Sequence, residues 1–211
     1  MDILAKLFGS QARVRIMRLF LLNSEAVFEI EDVVSRSRVT KSNVRKEINA
    51  LLSMGFIKNK IITKEGSRGA KKKVNGYFLN SSFRYLSSIR DVLIDPTLLV
   101  QDDLKDRFRP AGKVKLMITA GVFIGEDKKR RVDILLVGDN LRKNTINQII
   151  KGLEAEIGKE LDYVIFNSEE FRYRLDMYDK LVCDILDLPH EKIIDNGQLA
   201  NYTYKTSRTL I

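Results

Sequence analysis

The sequence predicts an α+β protein whose two halves differ in charge and in the order of their secondary-structure elements. Residues 1–90 carry 18 Lys and Arg against 7 Asp and Glu, a net charge of +11, whereas the remaining 19 basic and 21 acidic residues give −2. Helical periodicity followed by a hairpin pattern fills the first half, and short apolar strands alternate with amphipathic helices in the second. A length of 211 residues accommodates one large or two small domains.

Three helices are predicted before residue 54. Ser10 caps the first, "QARVRIMRLFLL", and a short strand "VFEI" follows it. The second helix is the brief "EDVVSRS", and the turn "RSRV" leads to a third helix that begins near Lys41. The wide apolar stripe of the first helix comprises Val14, Ile16, Met17, Phe20 and Leu21.

The third helix is bounded by local signals and has one apolar face. Val44, Ile48, Leu51 and Leu52 lie at i, i+4, i+7 and i+8, so they predict a buried stripe. Gly55 can take the left-handed conformation that ends a helix, and Phe56 and Ile57 are expected to return to the core. Thr40 is the expected N-cap, with Asn43 where a complete capping box has Glu or Gln.

The opposite face of this helix is polar and rich in hydrogen-bond donors. Such side chains contact phosphates or base edges in a major groove, so this face is the primary candidate for a DNA interface. Its residues are Lys41, Ser42, Asn43, Arg45, Lys46 and Asn49.

A hairpin is predicted directly after Gly55. "FIKNKIIT" suits a half-buried strand, and "KEGSRGAKKKVNG" is expected to be a mobile loop before a return strand that ends at Leu79. A solvated charged loop is the alternative interpretation, but a position just after a basic helix favours contact with phosphates or the minor groove. The basic residues of this loop are Lys64, Arg68, Lys71, Lys72 and Lys73.

A further helix, "SSFRYLSSIRDVLID", is expected to be capped by Ser81 or Ser82 and to complete a domain of residues 1–94. It can serve dimerisation, seal the core or link two domains, and the sequence leaves these alternatives open. The polar residues 95–112 contain Pro110 and Gly112 and are predicted to be a linker. The apolar side of the helix comprises Phe83, Leu86, Ile89 and Leu93.

Residues 113–190 are predicted to form an α/β domain with a small mixed sheet. The strands are "KVKLMITAG", "RVDILLVG" and "LDYVIFN", and "LRKNTINQIIKGLEAEIG" is a helix between the second and third. "SEEFRYRLDMYDKLVCDILD" forms one broken or two short helices, in which Cys183 is expected to be a buried structural thiol. Residues 191–211 are predicted to be a loosely ordered tail.

The composition excludes several kinds of site. Cys183 is the only cysteine and His190 the only histidine, so an intrachain disulfide is impossible and a cysteine or histidine zinc site is effectively excluded. No apolar run approaches the roughly 18 to 20 residues of a membrane helix, and the acidic start argues against a signal peptide. We expect a cytoplasmic protein with neither a membrane partner nor a cofactor.

Residues 10–79 resemble the winged helix-turn-helix transcriptional regulators of the ArsR or MarR-like type. The resemblance lies in the order of helices and hairpin and in "ALLSMGFI", which closes the third helix. It implies that the third helix reads double-stranded DNA, that the hairpin is the wing and that the protein binds as a homodimer. The positioning cations would be Lys41, Arg45 and Lys46, and the base-reading side chains Ser42, Asn43 or Asn49.

Residues 113–187 resemble a minimal nucleotidyltransferase-fold domain through "TAGVFIGEDKKRRVDILLVGDN". Active members hold the triphosphate with a Gly-Ser turn and two metal ions with carboxylates one residue apart. Gly121 fits the turn, but Val122 stands at the serine position. Asp133 fits the second carboxylate, but Arg131 stands at the first, where a cation repels magnesium. The resemblance therefore implies the fold without the transfer activity, and Asp133 is a remnant expected to pair with Arg131 or a nearby lysine.

Together these patterns predict a sequence-specific DNA-binding transcriptional regulator that is not an enzyme and whose second domain senses, dimerises or recruits. One alternative is a magnesium-dependent nucleotidyltransferase targeted by its winged helix, in which Asp162 is a loose candidate for a third carboxylate. Another is a winged helix used as a protein-interaction module. The sequence does not identify the operator, the direction of regulation or any small-molecule or nucleotide effector.

Overall fold

The computed structural model of the chain describes residues 3–65, 71–94, 101–125 and 132–196. These residues form a mixed α+β structure with small sheets, so the predicted fold class is confirmed at that level. The chain divides into two compact units. The first comprises Met1–Ile94 together with Lys151–Glu160, and the second comprises Asp95–Ile150 together with Leu161–Ile211.

The helices of the first unit begin where local signals place them. The Ser10 hydroxyl accepts the Arg13 N–H at 3.2 Å, which confirms the predicted N-cap. The stripe predicted for the capped helix is at most 3% exposed at each of its five positions. The helices that precede the hairpin are α1 (Ile3–Leu7), α2 (Gln11–Leu22), α3 (Ile30–Ser37) and α4 (Lys41–Ser53).

The predicted inward face of α4 is buried in the core of this unit. Val44, Ile48 and Leu51 are at most 1% exposed, and Leu52 packs half-buried against the same cluster. Each large apolar side chain buried in this way contributes roughly 1.5–3 kcal/mol. The helix is therefore held by its apolar stripe, which leaves its other face to solvent.

Backbone conformation sets the two ends of α4. Thr40 occupies the N-cap position in an extended conformation, but its hydroxyl lies 3.4 Å from Ser42 Oγ and makes no capping hydrogen bond. Gly55 adopts a φ of +75°, as predicted. Phe56 and Ile57, which follow it, are 0% and 1% exposed, so the chain turns directly back into the core.

Strands β1 (Ile57–Glu65) and β2 (Lys71–Leu79) pair antiparallel along their full lengths. Phe28 adds an isolated antiparallel bridge to Tyr77, in the segment predicted to be a short strand. The expectation of a long mobile loop is wrong for residues 71–76, because cross-strand pairing overrides their lysine-rich composition. Residues 66–70 lie outside the described residues.

Helix α5 (Leu86–Leu93) has Tyr85 at its N-cap position, three to four residues after the predicted cap. Asn80 Oδ1 accepts the Ser82 N–H at 3.3 Å, and the Asn80 carbonyl accepts the Phe83 N–H at 2.9 Å. These bonds form turns in place of the expected first helical turn. The predicted apolar side is nevertheless directed at the core, with Leu93 1% exposed and Phe83, Leu86 and Ile89 packed half-buried against it.

The segment Lys151–Glu160 belongs to the first unit and is held by donors from α2. Arg18 is 7% exposed, and its Nε donates to the Leu93 carbonyl at 2.8 Å while Nη1 donates to the Glu156 carbonyl at 3.1 Å. Asn23 Nδ2 donates to the Gly158 carbonyl at 2.8 Å. Carbonyl groups at helix ends lack intrahelical partners, so these donors satisfy acceptors that burial would otherwise leave unpaired.

Gly158 is required by the close approach of this segment to α2. Its φ is +89°, and a Cβ added there would lie 2.5 Å from the Leu19 backbone nitrogen. Both the backbone conformation and the available space therefore exclude any side chain at this position.

The second unit contains a four-stranded mixed sheet in the order β5-β4-β3-β6. Strand β4 is antiparallel to β3 and parallel to β5, and β6 is antiparallel to β3. β6 lies in the predicted tail, so the expectation of loose order is wrong for that strand, whose backbone groups pair with β3. Residues 197–211 lie outside the described residues. The strands are β3 (Val114–Thr119), β4 (Ile134–Gly138), β5 (Tyr163–Phe166) and β6 (Glu191–Asp195).

The last two helices pack their apolar side chains against one face of this sheet. α6 lies in the predicted linker, where Leu104 and Phe108 are 4% and 0% exposed. Cys183 is half-buried rather than fully buried. The helices are α6 (Gln101–Phe108), α7 (Lys143–Ile157), α8 (Ser168–Asp176) and α9 (Lys180–Asp187).

Candidate nucleic-acid interface

The exposed side of α4 carries the predicted contact residues in two adjacent rows. Residues four apart on a helix lie on the same side, so one row contains Lys41, Arg45 and Asn49 and the next contains Ser42 and Lys46. These five side chains and that of Asn43 are all exposed. The structure therefore brings together the six α4 residues that the sequence singled out.

A partly buried ion pair anchors α4 on the side opposite its exposed rows. Glu47 is 4% exposed, and Arg13 Nε of α2 donates to its Oε2 at 2.8 Å. Arg13 Nη1 also donates to the Phe8 carbonyl at 3.2 Å. This pair is not predictable from local sequence, because the two residues are 34 positions apart and no local pattern connects them.

Carboxylates of α3 engage two of the predicted contact cations. Lys41 Nζ donates to Glu31 Oε1, and both side chains are largely exposed, at 47% and 64%. Lys64 Nζ lies 2.9 Å from Glu29 Oε1. The hydrogen bond to Glu29 and the charge of that carboxylate raise the pKa of Lys64. No sequence pattern points to either pair, because both depend on how α3 packs.

The hairpin lysines are divided between two faces. Lys72 is opposite Lys64 in the register, while Lys71 and Lys73 are opposite Glu65 and Thr63. Successive strand side chains point to opposite faces, so Lys71 and Lys73 share one face and Lys72 lies on the other. Consecutive lysines in this hairpin therefore do not form one cluster. The predicted contact at Arg68 lies outside the described residues.

Two further lysines, not predicted as contacts, lie on the same face as Lys72. Lys58 and Lys60 are exposed and alternate with Asn59 in β1, so they share the face of Lys64. Lys60 Nζ lies 5.4 Å from the centroid of the Phe78 ring. The alternation in "IKNKIITK" is the signal that locates this set. We call it the lysine face, and it comprises Lys58, Lys60, Lys64 and Lys72.

Asp133, the predicted remnant of a metal site, forms hydrogen bonds with two backbone N–H groups. It is 7% exposed, its Oδ1 accepts the Val122 N–H at 3.1 Å, and its Oδ2 accepts the Asp162 N–H at 2.9 Å. The carboxylate thereby joins the turn after β3 to the start of β5. Gly121, at φ +56°, opens that turn. The expected partner Arg131 lies outside the described residues.

No described group of three or more His, Cys, Asp or Glu side chains could hold a metal ion. Asp162, the loose candidate for a third carboxylate, has an exposed side chain, and its contact with Asp133 is made by its backbone N–H.

A second polar network lies at the other end of β4. Asp139 Oδ2 accepts from Lys115 Nζ at 2.6 Å and from the Ser168 hydroxyl at 2.9 Å, and Oδ1 accepts the Ser168 N–H at 2.9 Å. The hydrogen bond from Lys115, followed by those from Ser168, lowers the pKa of Asp139 to about 2. This network ties β3 and β4 to the first residue of α8, and no sequence pattern pointed to it.

Comparison of the chain with protein-family models finds no match, and comparison with curated proteins finds none either. None of the helices in the described parts of the chain combines the length and the apolar composition needed to cross a membrane.

Proposed function

We propose that this chain is a winged helix-turn-helix transcriptional regulator that binds double-stranded DNA with α4 in the major groove and the β1–β2 hairpin as its wing. The observation that carries the proposal is the two-sided character of α4. Its apolar stripe is buried, while all six donor-rich side chains opposite are exposed. A helix anchored in this way presents hydrogen-bonding groups on a rigid support, which major-groove recognition requires.

Arg45 and Lys46 are the principal phosphate contacts of this proposal. No described carboxylate lies within ion-pair distance of either side chain, whereas Lys41 is engaged by Glu31. Asn43 and Asn49 are exposed on the same helix and offer the paired donor and acceptor groups that recognise adenine. Cations therefore position the helix, and amide side chains supply the base contacts.

Only one face of the hairpin adds phosphate contacts in this proposal. The lysine face carries Lys58, Lys60 and Lys72 beside the engaged Lys64, while Lys71 and Lys73 occupy the opposite face. A wing that lies along the backbone presents a single face to it, so only one of these two sets contacts phosphates.

The second unit is proposed to be a nucleotidyltransferase-like domain that has no transfer activity and serves sensing, dimerisation or recruitment. Its support is the state of Asp133, whose two carboxylate oxygens accept backbone N–H groups. A metal ligand needs oxygen lone pairs directed at the ion, and this geometry directs them at the protein backbone. The regulator is proposed to act as a homodimer on two half-sites one helical turn apart.

The test is the affinity of the full-length protein for duplex DNA as a function of salt. The duplexes would carry the sequence upstream of its own coding region or a scrambled version. Arg45→Gln and Lys46→Gln are each expected to lower the salt slope by about 0.9 for either duplex, because each removes one phosphate contact. Lys143→Gln, which removes an exposed cation at the start of α7, is the matched control and is expected to leave the slope unchanged.

Saturation of the upstream duplex at two chains per duplex would support the homodimer, and one chain per duplex would contradict it. Failure of the wild-type protein to retain any duplex at low salt would contradict the proposed function as a whole. Equal salt slopes of DNA affinity for the wild type, Arg45→Gln and Lys46→Gln would instead contradict the proposal that α4 lies in the interface.

A further inference from the structure

We propose that Glu31 competes with DNA phosphates for Lys41 and thereby weakens binding to non-specific DNA. This inference rests on the proposed function and assigns a role to a residue that makes no contact in that proposal. It concerns the N-terminal end of α4, which is the end that enters the groove in helix-turn-helix proteins.

The geometry places a carboxylate beside the cation that a phosphate would contact. Lys41 is the first residue of α4, and its ammonium group donates to Glu31 of α3. Arg38 ends α3 in the left-handed conformation, with a φ of +54°, so only a short turn separates the two helices. A phosphate bound at Lys41 would therefore lie close to the negative charge of Glu31 and be repelled by it.

The ion pair between Lys41 and Glu31 is exposed to solvent and can be broken without loss of the fold. Lys41 and Glu31 are 47% and 64% exposed, and ion pairs between such exposed groups contribute little to stability. The fold therefore does not depend on the pair, but a phosphate can reach Lys41 only by displacing the carboxylate. Each encounter with DNA must therefore separate the two charges or accept their repulsion.

The neighbouring pair between Glu29 and Lys64 has a different character. Glu29 is 16% exposed, and its backbone N–H donates to Asp32 Oδ2 at 2.9 Å at the start of α3. Lys64 reaches this partly buried carboxylate from β1, so the pair ties the hairpin to α3. Glu29 thus positions the wing, whereas Glu31 pairs with Lys41 at the N-terminal end of α4.

Competition at Lys41 acts on the phosphate contacts, on which non-specific binding depends. Phosphate contacts supply essentially all of the affinity for non-specific DNA, whereas a specific complex adds base contacts. Loss of one phosphate contact therefore lowers the affinity for non-specific DNA directly. Glu31 has this effect without contacting the DNA.

The experiment measures binding of the full-length protein to a random-sequence duplex between low and physiological salt. Glu31→Gln is expected to bind more tightly at low salt, with a slope steeper by about 0.9, because Lys41 becomes free to contact a phosphate. Lys41→Gln is expected to keep the wild-type slope, and the double variant is expected to match Lys41→Gln. Glu25→Gln removes an exposed carboxylate whose hydroxyl partner is Ser24, and it serves as the charge-matched control.

Three outcomes separate this inference from the proposed function. A slope lowered by about 0.9 in Lys41→Gln would show that Lys41 already contacts phosphate in the wild type, which overturns the inference. Wild-type binding that neither Glu31→Gln nor Lys41→Gln changes would overturn the inference and leave the proposed function standing. Absence of any wild-type binding would overturn both.

Discussion

The exposed side of α4 and the two ends of β4 both concentrate charged residues, but they do so under different physical conditions. On α4, Arg45 and Lys46 are exposed, and no described carboxylate pairs with either. At the start of β4, the oxygens of Asp133 are taken by backbone N–H groups. At its end, Asp139 accepts hydrogen bonds from Lys115 and Ser168.

This difference separates charges that are available to a ligand from charges that hold the fold. A buried carboxylate that accepts two backbone N–H groups is costly to disturb, because its donors would be left without partners. An exposed cation without a protein partner can be removed with little effect on folding. Mutations at Asp133, at Asp139 and on α4 should therefore differ in how far they lower the free energy of unfolding.

The largest effect is expected at Asp133. Asp133→Ala removes the acceptors of the Val122 and Asp162 N–H groups, so we expect the free energy of unfolding to fall by roughly 2–4 kcal/mol in urea denaturation. Asp162→Ala is the matched control, since it removes an exposed carboxylate but keeps the backbone donor, and it should change stability by less than about 0.5 kcal/mol. An Asp133→Ala variant as stable as this control would contradict the structural role of the Asp133 carboxylate.

An intermediate effect is expected at Asp139, and its dependence on pH lies between about pH 4 and pH 2. Its folded-state pKa of about 2 lies below the ordinary value of 3.8, so the carboxylate contributes stability above about pH 4. That contribution is lost as the pH falls towards 2. We expect Asp139→Asn to flatten this part of the stability profile, measured by urea unfolding from pH 2 to 6. Asp106→Asn, at an exposed position of α6, should keep the wild-type profile, and parallel profiles for both variants would contradict the prediction.

The smallest effect is expected on α4. Arg45→Gln and Lys46→Gln should change the free energy of unfolding by less than about 0.5 kcal/mol each, because both side chains are exposed and the apolar stripe holds the helix. The same denaturation experiment checks this. A loss of 2 kcal/mol or more, which is the range expected for a buried hydrogen-bonded group, would mean that these cations support the fold.

Local sequence was sufficient to predict the elements whose determinants are neighbours in the chain. The Ser10 cap, the φ of Gly55 and the buried stripe of α4 each depend on residues within a few positions of one another. Helix α6 and strand β6 were missed because they are short and are stabilised by distant partners. β6 pairs with β3, more than 70 residues earlier in the chain, and no local pattern records that pairing.

The sequence predicted which side of α4 forms the candidate interface. It did not predict which of the basic side chains are paired with carboxylates. Periodicity located the polar side of α4, whereas the carboxylates that engage Lys41 and Lys64 depend on the packing of α3. The division of Lys71, Lys72 and Lys73 between two faces was missed for a related reason. Their composition favoured a loop, and only the cross-strand register shows that they alternate.

The attachment of residues 151–160 to α2 has a consequence for any dissection of this protein. A fragment cut at Ile94, where the sequence suggests that a domain ends, would lack ten residues of the first unit. Arg18 would lose the Glu156 carbonyl, and Asn23 would lose that of Gly158. Replacement of the second half by an unrelated domain would cause the same loss. The proposed DNA-binding unit can thus be transferred to another protein only together with residues 151–160, which lie in the sequence between strands β4 and β5 of the second unit.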